Sequence, residues 1–392
     1  MTNRIMAKQS KTVILPVMFG FLAMGFIDMI GLVTNYVKTD FGMSDTLVST
    51  ISLSCYIWFL ILSIPVGIAL TKWGRRKMVL LSLAIHTAAL ILPYAYYGFA
   101  SVLIAFSLIG IGNTILQVAM NPLVTDVVSP ERITSAITFG QATKALGSIV
   151  APFVAMWTAV YLGHWQLLFL IYAALSLAGF IWMWLTPIEE SKSSGHTASF
   201  KGTVSLLKDR FVRICFIGIV VLVGADVAVN MTLPKLMNDV FGIGGEKASL
   251  CNSVYFLART LAAFAGGAIL MKVSDTAFFK VCTWLALAGL VLMAVLSRTS
   301  IALVLCAVCI FGIGYANLFG IVFSKAMQRL PGKADEISAL LIVGLIGGAI
   351  LPPLLGWVSD VTGSQIAAII TIAIAWVYMI WMSVKPFNSD LR

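Results

Sequence analysis

The sequence is poor in charged residues. Only 11% of its 392 residues are Asp, Glu, Lys or Arg, whereas 60% are hydrophobic. Soluble globular domains carry about 25% charged and about 45–50% apolar residues. A soluble fold of this length could not hide so much apolar surface, because part of every domain faces water. The deficit excludes soluble enzymes, disordered chains and fibrous proteins, and it indicates that lipid surrounds most of the chain.

Residues that carry catalytic or metal chemistry are also scarce. The six cysteines are scattered through apolar segments, and there are three histidines. The one CxxC, from Cys306 to Cys309, lies inside an apolar run and is typical of two small residues in a helix. The sequence has no nucleophile elbow, phosphate-binding loop or metal-binding cluster. We therefore expect no enzyme activity, no catalytic residue, no metal and no cofactor.

Long apolar runs dominate the sequence. Twelve stretches of about 20 residues or more are each long enough to cross a bilayer core of roughly 30 Å. Membrane-spanning strands would be about ten residues long and would alternate apolar with polar residues. The predicted fold is therefore all-α and integral to the membrane. The predicted spans are 13–37, 47–71, 78–97, 101–125, 136–160, 165–186, 211–237, 248–272, 277–297, 300–324, 336–358 and 364–384.

The net charge of +10 could suggest a nucleic-acid partner, but the positions of the basic residues do not. Loops on the side of the N-terminus hold 20 Lys and Arg residues, and loops on the other side hold four, Lys38, Lys235, Lys247 and Arg298. The positive-inside rule then places both termini in the cytoplasm. We expect a multi-pass protein of a bacterial inner (plasma) membrane, functional as a monomer in the lipid bilayer, with no nucleic-acid partner.

The two halves of the chain repeat one another. Glycine, proline and aromatic landmarks recur at offsets of 200 to 202, as in Gly67/Gly267, Pro130/Pro331 and Gly110/Gly312. We predict an N-terminal six-helix bundle at 1–187, a cytoplasmic linker at 188–210 and a C-terminal six-helix bundle at 211–392. An even number of spans makes the repeats parallel. Transporters of this design hold their solute near the membrane midplane, between two halves that rock.

Four charged residues lie deep in the predicted spans, namely Asp28, Lys144, Asp226 and Arg259. A charge in this position costs several kcal/mol and usually marks a path for an ion or a substrate. Because the two acids balance the two bases, we predict two ion pairs, Asp28 with Lys144 and Asp226 with Arg259. These pairs either couple transport to protons or only position helices.

Neutral polar residues accompany these charges at helical spacing. Asn113, Gln117 and Asn121 recur every four residues in the fourth span and share one helix face. Such amide-rich stripes either join helices or line a hydrated cavity that suits a polyhydroxylated solute, with Trp58 as a stacking face. The candidate substrate-binding residues are Asn35, Trp58, Asn113, Gln117, Asn121, Gln141, Lys144, Asn230, Tyr255 and Asn317.

The loop after the second span reads Gly67-Ile-Ala-Leu-Thr-Lys-Trp-Gly-Arg-Arg-Lys. It resembles the signature loop of the major facilitator superfamily, in which glycines permit a tight turn and basic residues cap helix ends. The resemblance implies a cytoplasmic gate motif formed by Gly67, Gly74, Arg75 and Arg76. Thr71 stands where the family usually has an acid, so we expect a weakened gate salt bridge.

Three further segments resemble one branch of that superfamily, the fucose/glucose/galactose–proton symporters. They are Asn-Pro-Leu-Val-Thr-Asp-Val-Val-Ser-Pro-Glu at 121–131, Phe-Gly-Gln-Ala at 139–142 and Gly-Gly-Ala-Ile-Leu-Pro-Pro-Leu-Leu-Gly at 347–356. Three features depart from the branch, and one of them is the acid of the first span, Asp28, which is displaced by about one turn relative to Phe41-Gly42. Gln117 replaces a frequent acid, and Lys144 replaces a neutral polar residue of fucose permeases. The resemblance implies sugar transport but carries over neither fucose nor the standard proton site.

The leading functional hypothesis is proton-coupled symport of a sugar or sugar derivative by alternating access. A second hypothesis is transport of an anionic solute, such as a uronic or sialic acid, with Lys144 or Arg259 binding its carboxylate. A third is a proton antiporter for drugs or metabolites, although such a cavity would be expected to hold acids and aromatics rather than amides. A non-transporting sensor is disfavoured because the sequence has no sizeable soluble output domain.

Overall fold

A computed structural model describes residues 2–43, 45–190, 199–243 and 246–384, and within these ranges the chain is helical with no strand. Short 3-10 segments lie at Gly25–Met29, Pro130–Arg132, Leu206–Lys208, Pro331–Lys333 and Gly344–Ile346. The α-helices are α1 (Thr2–Met24), α2 (Ile30–Phe41), α3 (Asp45–Trp73), α4 (Arg75–Ala95), α5 (Phe99–Val127), α6 (Ile133–Leu162), α7 (Leu167–Leu185), α8 (Phe200–Ser205), α9 (Arg210–Phe241), α10 (Glu246–Ile269), α11 (Asp275–Leu296), α12 (Ile301–Tyr315), α13 (Leu318–Arg329), α14 (Ala334–Val343), α15 (Gly347–Thr362) and α16 (Gln365–Val384).

Ten helices or continuous helical runs of the described chain are long and apolar enough to cross a membrane. Two further runs, α10 and α14 with α15, occupy the predicted eighth and eleventh spans. The fold is thus consistent with twelve spans. Exposed aromatic side chains lie at helix ends, where the membrane interface favours them; examples are Trp73, Tyr96, Tyr161 and Trp184.

The first span is broken where it touches α6. The 3-10 segment Gly25–Met29 separates α1 from α2, and two glycines allow the backbones to meet there. A Cβ on Gly25 would overlap the carbonyl oxygen of Lys144, and one on Gly147 would lie 2.6 Å from the carbonyl oxygen of Leu22. The Tyr172 hydroxyl donates to the Gly147 carbonyl at 2.9 Å. The break turns Asp28 toward α6.

The far end of α2 is held by an acid and aromatic side chains. Asp40 accepts hydrogen bonds from the Tyr97 hydroxyl at 2.6 Å and from the Trp165 indole at 3.0 Å. Tyr36 stacks on Trp165 with ring centroids 4.5 Å apart. Burial and the neighbouring Asp40 carboxylate raise the pKa of the Tyr97 hydroxyl. The C-terminal end of α2 is therefore held by its own contacts, which do not involve the 3-10 segment Gly25–Met29.

Contacts divide the chain into two compact units, each with its own core of large aromatic side chains. The first unit is 1–133, 143–204 and 330–343, and the second is 134–142, 205–329 and 344–392. The first therefore includes α14, and the second includes the start of α6. The predicted bundles at 1–187 and 211–392 stay a prediction about the sequence repeat.

The two helices that pass from one unit to the other differ in continuity. Helix α6 is uninterrupted across the boundary between 142 and 143. The eleventh span instead has the 3-10 segment Gly344–Ile346 immediately after the boundary between 343 and 344. A 3-10 break inside a long helix often marks a hinge, and this one separates α14 from α15.

Candidate functional site

Asp226 of α9 is the centre of a hydrogen-bond network in the second unit. Its Oδ2 accepts from the Arg259 guanidinium at 2.7 Å. Its Oδ1 accepts from the Tyr255 hydroxyl at 2.5 Å and from Asn230 Nδ2 at 3.3 Å. The Arg259 guanidinium lies over the Tyr315 ring, 4.7 Å from its centroid. The predicted Asp226–Arg259 contact is confirmed, whereas no role was predicted for Tyr315.

Helical spacing explains how this paired-charge cluster forms. Asp226 and Asn230 are one turn apart on α9, as are Tyr255 and Arg259 on α10, so each helix presents two polar groups on one face. Gly312 lets α12 approach, because a Cβ there would lie only 3.1 Å from the Tyr255 ring. The cluster therefore rests on three helices of a single unit.

Asp28, in the first unit, is exposed and has a different partner from the one predicted. Ser148 Oγ donates to Asp28 Oδ2 at 2.5 Å. The described side chains of Asp28 and Lys144 form no ion pair, so the predicted pairing is wrong in this structure. The reason is the backbone contact of Gly25 with α6, which brings Ser148, one turn beyond Lys144, to the carboxylate.

The amide stripe of α5 is packed inside the first unit. Asn113 and Asn121 are 0% exposed and Gln117 is 3% exposed. Asn113 Nδ2 donates to the Met24 carbonyl at 3.3 Å, and Asn121 Nδ2 donates to the Gln117 carbonyl at 3.2 Å. The Oδ1 atoms of both asparagines are buried without a partner. Trp58 is half-buried, with its indole bound to a serine hydroxyl on α5 at 2.9 Å.

The second unit holds a comparable set of amides. Asn317 Nδ2 donates to the Ala262 carbonyl at 3.2 Å, and Asn252 Nδ2 donates to the Asn230 carbonyl at 2.9 Å. The Oδ1 atoms of all three asparagines are buried and unpartnered, as is Nε2 of Gln141. The Asn35 side chain lies outside the described residues. Both units thus contain neutral polar groups with unused hydrogen-bonding capacity.

Arg75 is buried between two carboxylates of the first unit. Its Nη1 contacts Asp126 at 2.7 Å and its Nε contacts Asp335 at 2.8 Å. All three side chains are at most 7% exposed. The weakened salt bridge expected from Thr71 is therefore wrong, because acids from α5 and α14 supply the missing charge. We call Arg75, Asp126 and Asp335 the gate cluster.

Of the other residues in the predicted gate motif, Gly74 and Arg76 contact the end of α7 and the segment after it, and Gly67 contacts α14. Gly74 has φ +88°, which favours glycine, and the Glu190 carboxylate accepts from the backbone N–H groups of Arg75 at 2.5 Å and Arg76 at 3.0 Å. The Arg76 guanidinium donates to three carbonyls at the end of α7 at 2.6 to 3.3 Å. Gly67 packs against Ala339 of α14. The N-terminus of α4 thus contacts the negative charge of Glu190, and the C-terminus of α7 contacts the positive charge of Arg76, and both signs are favourable for the helix dipole.

Replacing Glu190 with Ala should destabilise the first turn of α4, because two backbone donors lose their cap. The expected loss is about 1 kcal/mol, seen as a melting temperature lowered by a few degrees in detergent. Glu189→Ala, which removes the exposed neighbouring carboxylate, is the matched control and should leave the melting temperature unchanged. Equal melting temperatures for the two variants would show that the cap contributes nothing.

A second cluster lies in the other unit with the charges reversed. Asp275, at the start of α11, accepts from Thr134 Oγ1 at 2.8 Å and lies 3.9 Å from Lys325 Nζ. Thr134 Oγ1 also bonds the Ser324 hydroxyl at 2.7 Å. These positions correspond to the gate cluster at the repeat offset of about 200 residues. The internal repeat therefore includes these two charged clusters, one in each unit.

Apolar helices arranged in two units, with paired charges and amides inside, define a membrane transporter fold. A family model of the Major Facilitator Superfamily matches residues 17–343, and the chain belongs to this family. It is an integral membrane transporter and not an enzyme.

Relatives and solved structures agree with this assignment. The "Glucose/galactose transporter" of Brucella abortus biovar 1 (strain 9-941) is 26% identical over 371 residues, covering 90% of this chain and 89% of the relative. The E. coli fucose:proton symporter FucP, solved in its outward conformation, matches with a TM-score of 0.83 at 17% identity, covering 96% of this chain and 98% of FucP. The proton:xylose symporter XylE matches with a TM-score of 0.75 at 12% identity, covering 96% and 95%.

Proposed function

We propose that this protein is a secondary active transporter that carries a neutral sugar together with protons by alternating access. The observation that carries the proposal is the set of neutral amide side chains in both units that have buried, unpartnered atoms. A sugar offers several hydroxyl groups, each both donor and acceptor, and can satisfy such atoms. The names of the Brucella relative and of the two solved symporters support the same substrate class. The amide atoms are Oδ1 of Asn113, Asn121, Asn230, Asn252 and Asn317 and Nε2 of Gln141.

Asp28 is the proposed proton acceptor. Its side chain is exposed, and its described partner is the Ser148 hydroxyl. A neutral Asp28 can keep this hydrogen bond, since a protonated carboxyl still accepts one. Asp226 is the weaker candidate, because both of its oxygens already accept hydrogen bonds, one of them from the Arg259 guanidinium. Protonation of Asp28 would then bias the balance between the two access states.

Three further elements complete the proposal. The gate cluster holds α14 in the first unit and would have to open during the transport cycle. The excess of basic residues on one side supports a bacterial inner-membrane protein with both termini in the cytoplasm. The protein would act as a monomer in the lipid bilayer.

Transport of an anionic sugar acid is the second candidate. One observation favours it, namely that Lys144 is not paired with Asp28 in the described structure. A half-buried lysine outside that pair could receive a substrate carboxylate. Arg259, in contrast, already contacts Asp226.

Counterflow in proteoliposomes tests the proposed function. Vesicles loaded with unlabelled glucose or galactose should take up the labelled sugar, and an inward proton gradient should raise its accumulation. Glucuronate serves as the competitor for the second candidate. Absence of counterflow for every neutral sugar would contradict the proposal, and uptake that ignores the pH gradient would remove proton coupling from it.

A further inference from the structure

We propose that Asp226 determines specificity by acting as a built-in counter-anion for Arg259, so that the transporter selects neutral sugars over sugar acids. This inference rests on the proposed function as a sugar transporter. It gives Asp226 a positioning role, exerted through its partner side chains, in place of the proton-coupling role suggested by the sequence.

Arg259 is well placed to recognise a carboxylate. A guanidinium binds carboxylates with two parallel donors and stacks on aromatic rings, and this one lies over Tyr315. Its side chain is 29% exposed, against 15% for Asp226. A cation in this state would attract an anionic solute if no internal acid balanced its charge.

Asp226 supplies that balance and is itself held in place. Arg259, Tyr255 and Asn230 all donate to its two oxygens. A substrate carboxylate could reach Arg259 only by displacing Asp226 or by lying beside it. If the substrate displaces Asp226, the Asp226 carboxylate loses its cation. If the substrate lies beside Asp226, two negative charges come close together. Both arrangements are unfavourable in a partly buried site.

A neutral sugar meets no such penalty. The same network leaves Oδ1 of Asn230 and Oδ1 of Asn252 unpartnered, and both can accept hydrogen bonds from sugar hydroxyls. Asp226 fixes the first of these, because Asn230 Nδ2 donates to its side chain and its backbone carbonyl. The pair thus repels acids and at the same time orients an acceptor for a neutral sugar.

Asp226→Asn tests the proposal, since the amide keeps the size of the side chain and an oxygen for Tyr255 but removes the charge. We measure inhibition of galactose counterflow by galacturonate and by unlabelled galactose, and take the ratio of half-inhibiting concentrations. The half-inhibiting concentration of galacturonate, divided by that of galactose, should fall at least tenfold in the variant. The double variant Asp226→Asn/Arg259→Gln should return it toward the wild-type value, because the unbalanced cation is gone.

Asp239→Asn is the matched control, because it removes an exposed carboxylate from the same helix away from the cluster. Its ratio should equal that of the wild type. The unmodified protein gives an independent measurement: galacturonate methyl ester, which is neutral, should inhibit at least tenfold better than galacturonate.

The outcomes separate this inference from the proposed function. A ratio for Asp226→Asn within threefold of the wild type, or equal inhibition of the wild type by ester and acid, overturns the selective role of Asp226 while leaving sugar transport intact. Absence of galactose and glucose counterflow in the wild type overturns the proposed function itself. If the variant does not reconstitute, the ester comparison still tests the inference, because equal inhibition by ester and acid overturns it.

Discussion

Asp28→Asn should abolish the accumulation of sugar against its gradient while sugar exchange continues. The amide still accepts a hydrogen bond from Ser148, so the local structure is retained, but it cannot take up a proton. An inward gradient of two pH units can drive accumulation of about a hundredfold for one coupled proton, since each unit corresponds to about 1.4 kcal/mol. The variant should therefore reach only the external sugar concentration in proteoliposomes.

Asp40→Asn provides the comparison for this result. It makes the same substitution in the other segment of the broken first span, where Tyr97 and Trp165 hold the side chain. We expect accumulation to persist in this variant, because the residue lies away from the break in the helix. Normal accumulation in Asp28→Asn would exclude Asp28 as the proton acceptor.

The sequence was sufficient for features that depend on local pattern and charge balance. Helical spans follow from apolar runs longer than a bilayer is thick. The Asp226–Arg259 contact follows from the high cost of an unpaired charge in lipid. Asn230 lies one turn from Asp226, and Tyr255 lies one turn from Arg259, so the two faces that meet are both polar. In both cases the deciding property, the length of an apolar run or the balance of charge, can be read from the sequence of one or two helices.

The same reasoning failed where the distance between two backbones decides the partner. Asp28 and Lys144 balance in charge, but Gly25 and Gly147 allow a close contact that brings Ser148 to Asp28 instead. Charge counting cannot distinguish two side chains one turn apart on the same helix. Only the crossing point of the helices does so.

The gate acids were missed for another reason. Asp335 is 260 positions away from Arg75 along the chain, and no local motif links the two. Asp126 was visible in the segment at 121–131, but nothing in its spacing related it to the loop after the second span. The one local signal is Thr71, which occupies the position where the family usually has an acid.

The gate cluster leads to the second large effect, because Asp335→Asn should release α14 from the first unit. Arg75 would keep Asp126 but lose a buried charged partner, at a cost of about 2 kcal/mol, which corresponds to roughly a thirtyfold rise in the undocked population. A cysteine at position 338, introduced as Ser338→Cys, can report the undocking of α14, because Ser338 is 0% exposed and donates to the Val118 carbonyl at 2.7 Å in the docked state. Its maleimide labelling rate, in a background without the six native cysteines, should rise by that factor.

A second probe distinguishes local release of α14 from general loosening of the protein. Ser135 is 4% exposed and donates to the Gly267 carbonyl at 2.6 Å in the other unit, so Ser135→Cys is chemically matched to Ser338→Cys. Because the 3-10 segment Gly344–Ile346 separates α14 from α15, we expect Asp335→Asn to raise the labelling rate at Ser135→Cys less than threefold. Equal acceleration at both probes would mean that the variant loosens both units. No acceleration at Ser338→Cys would mean that the packing of Ala339 against Gly67 suffices to hold α14 without the charge of Asp335.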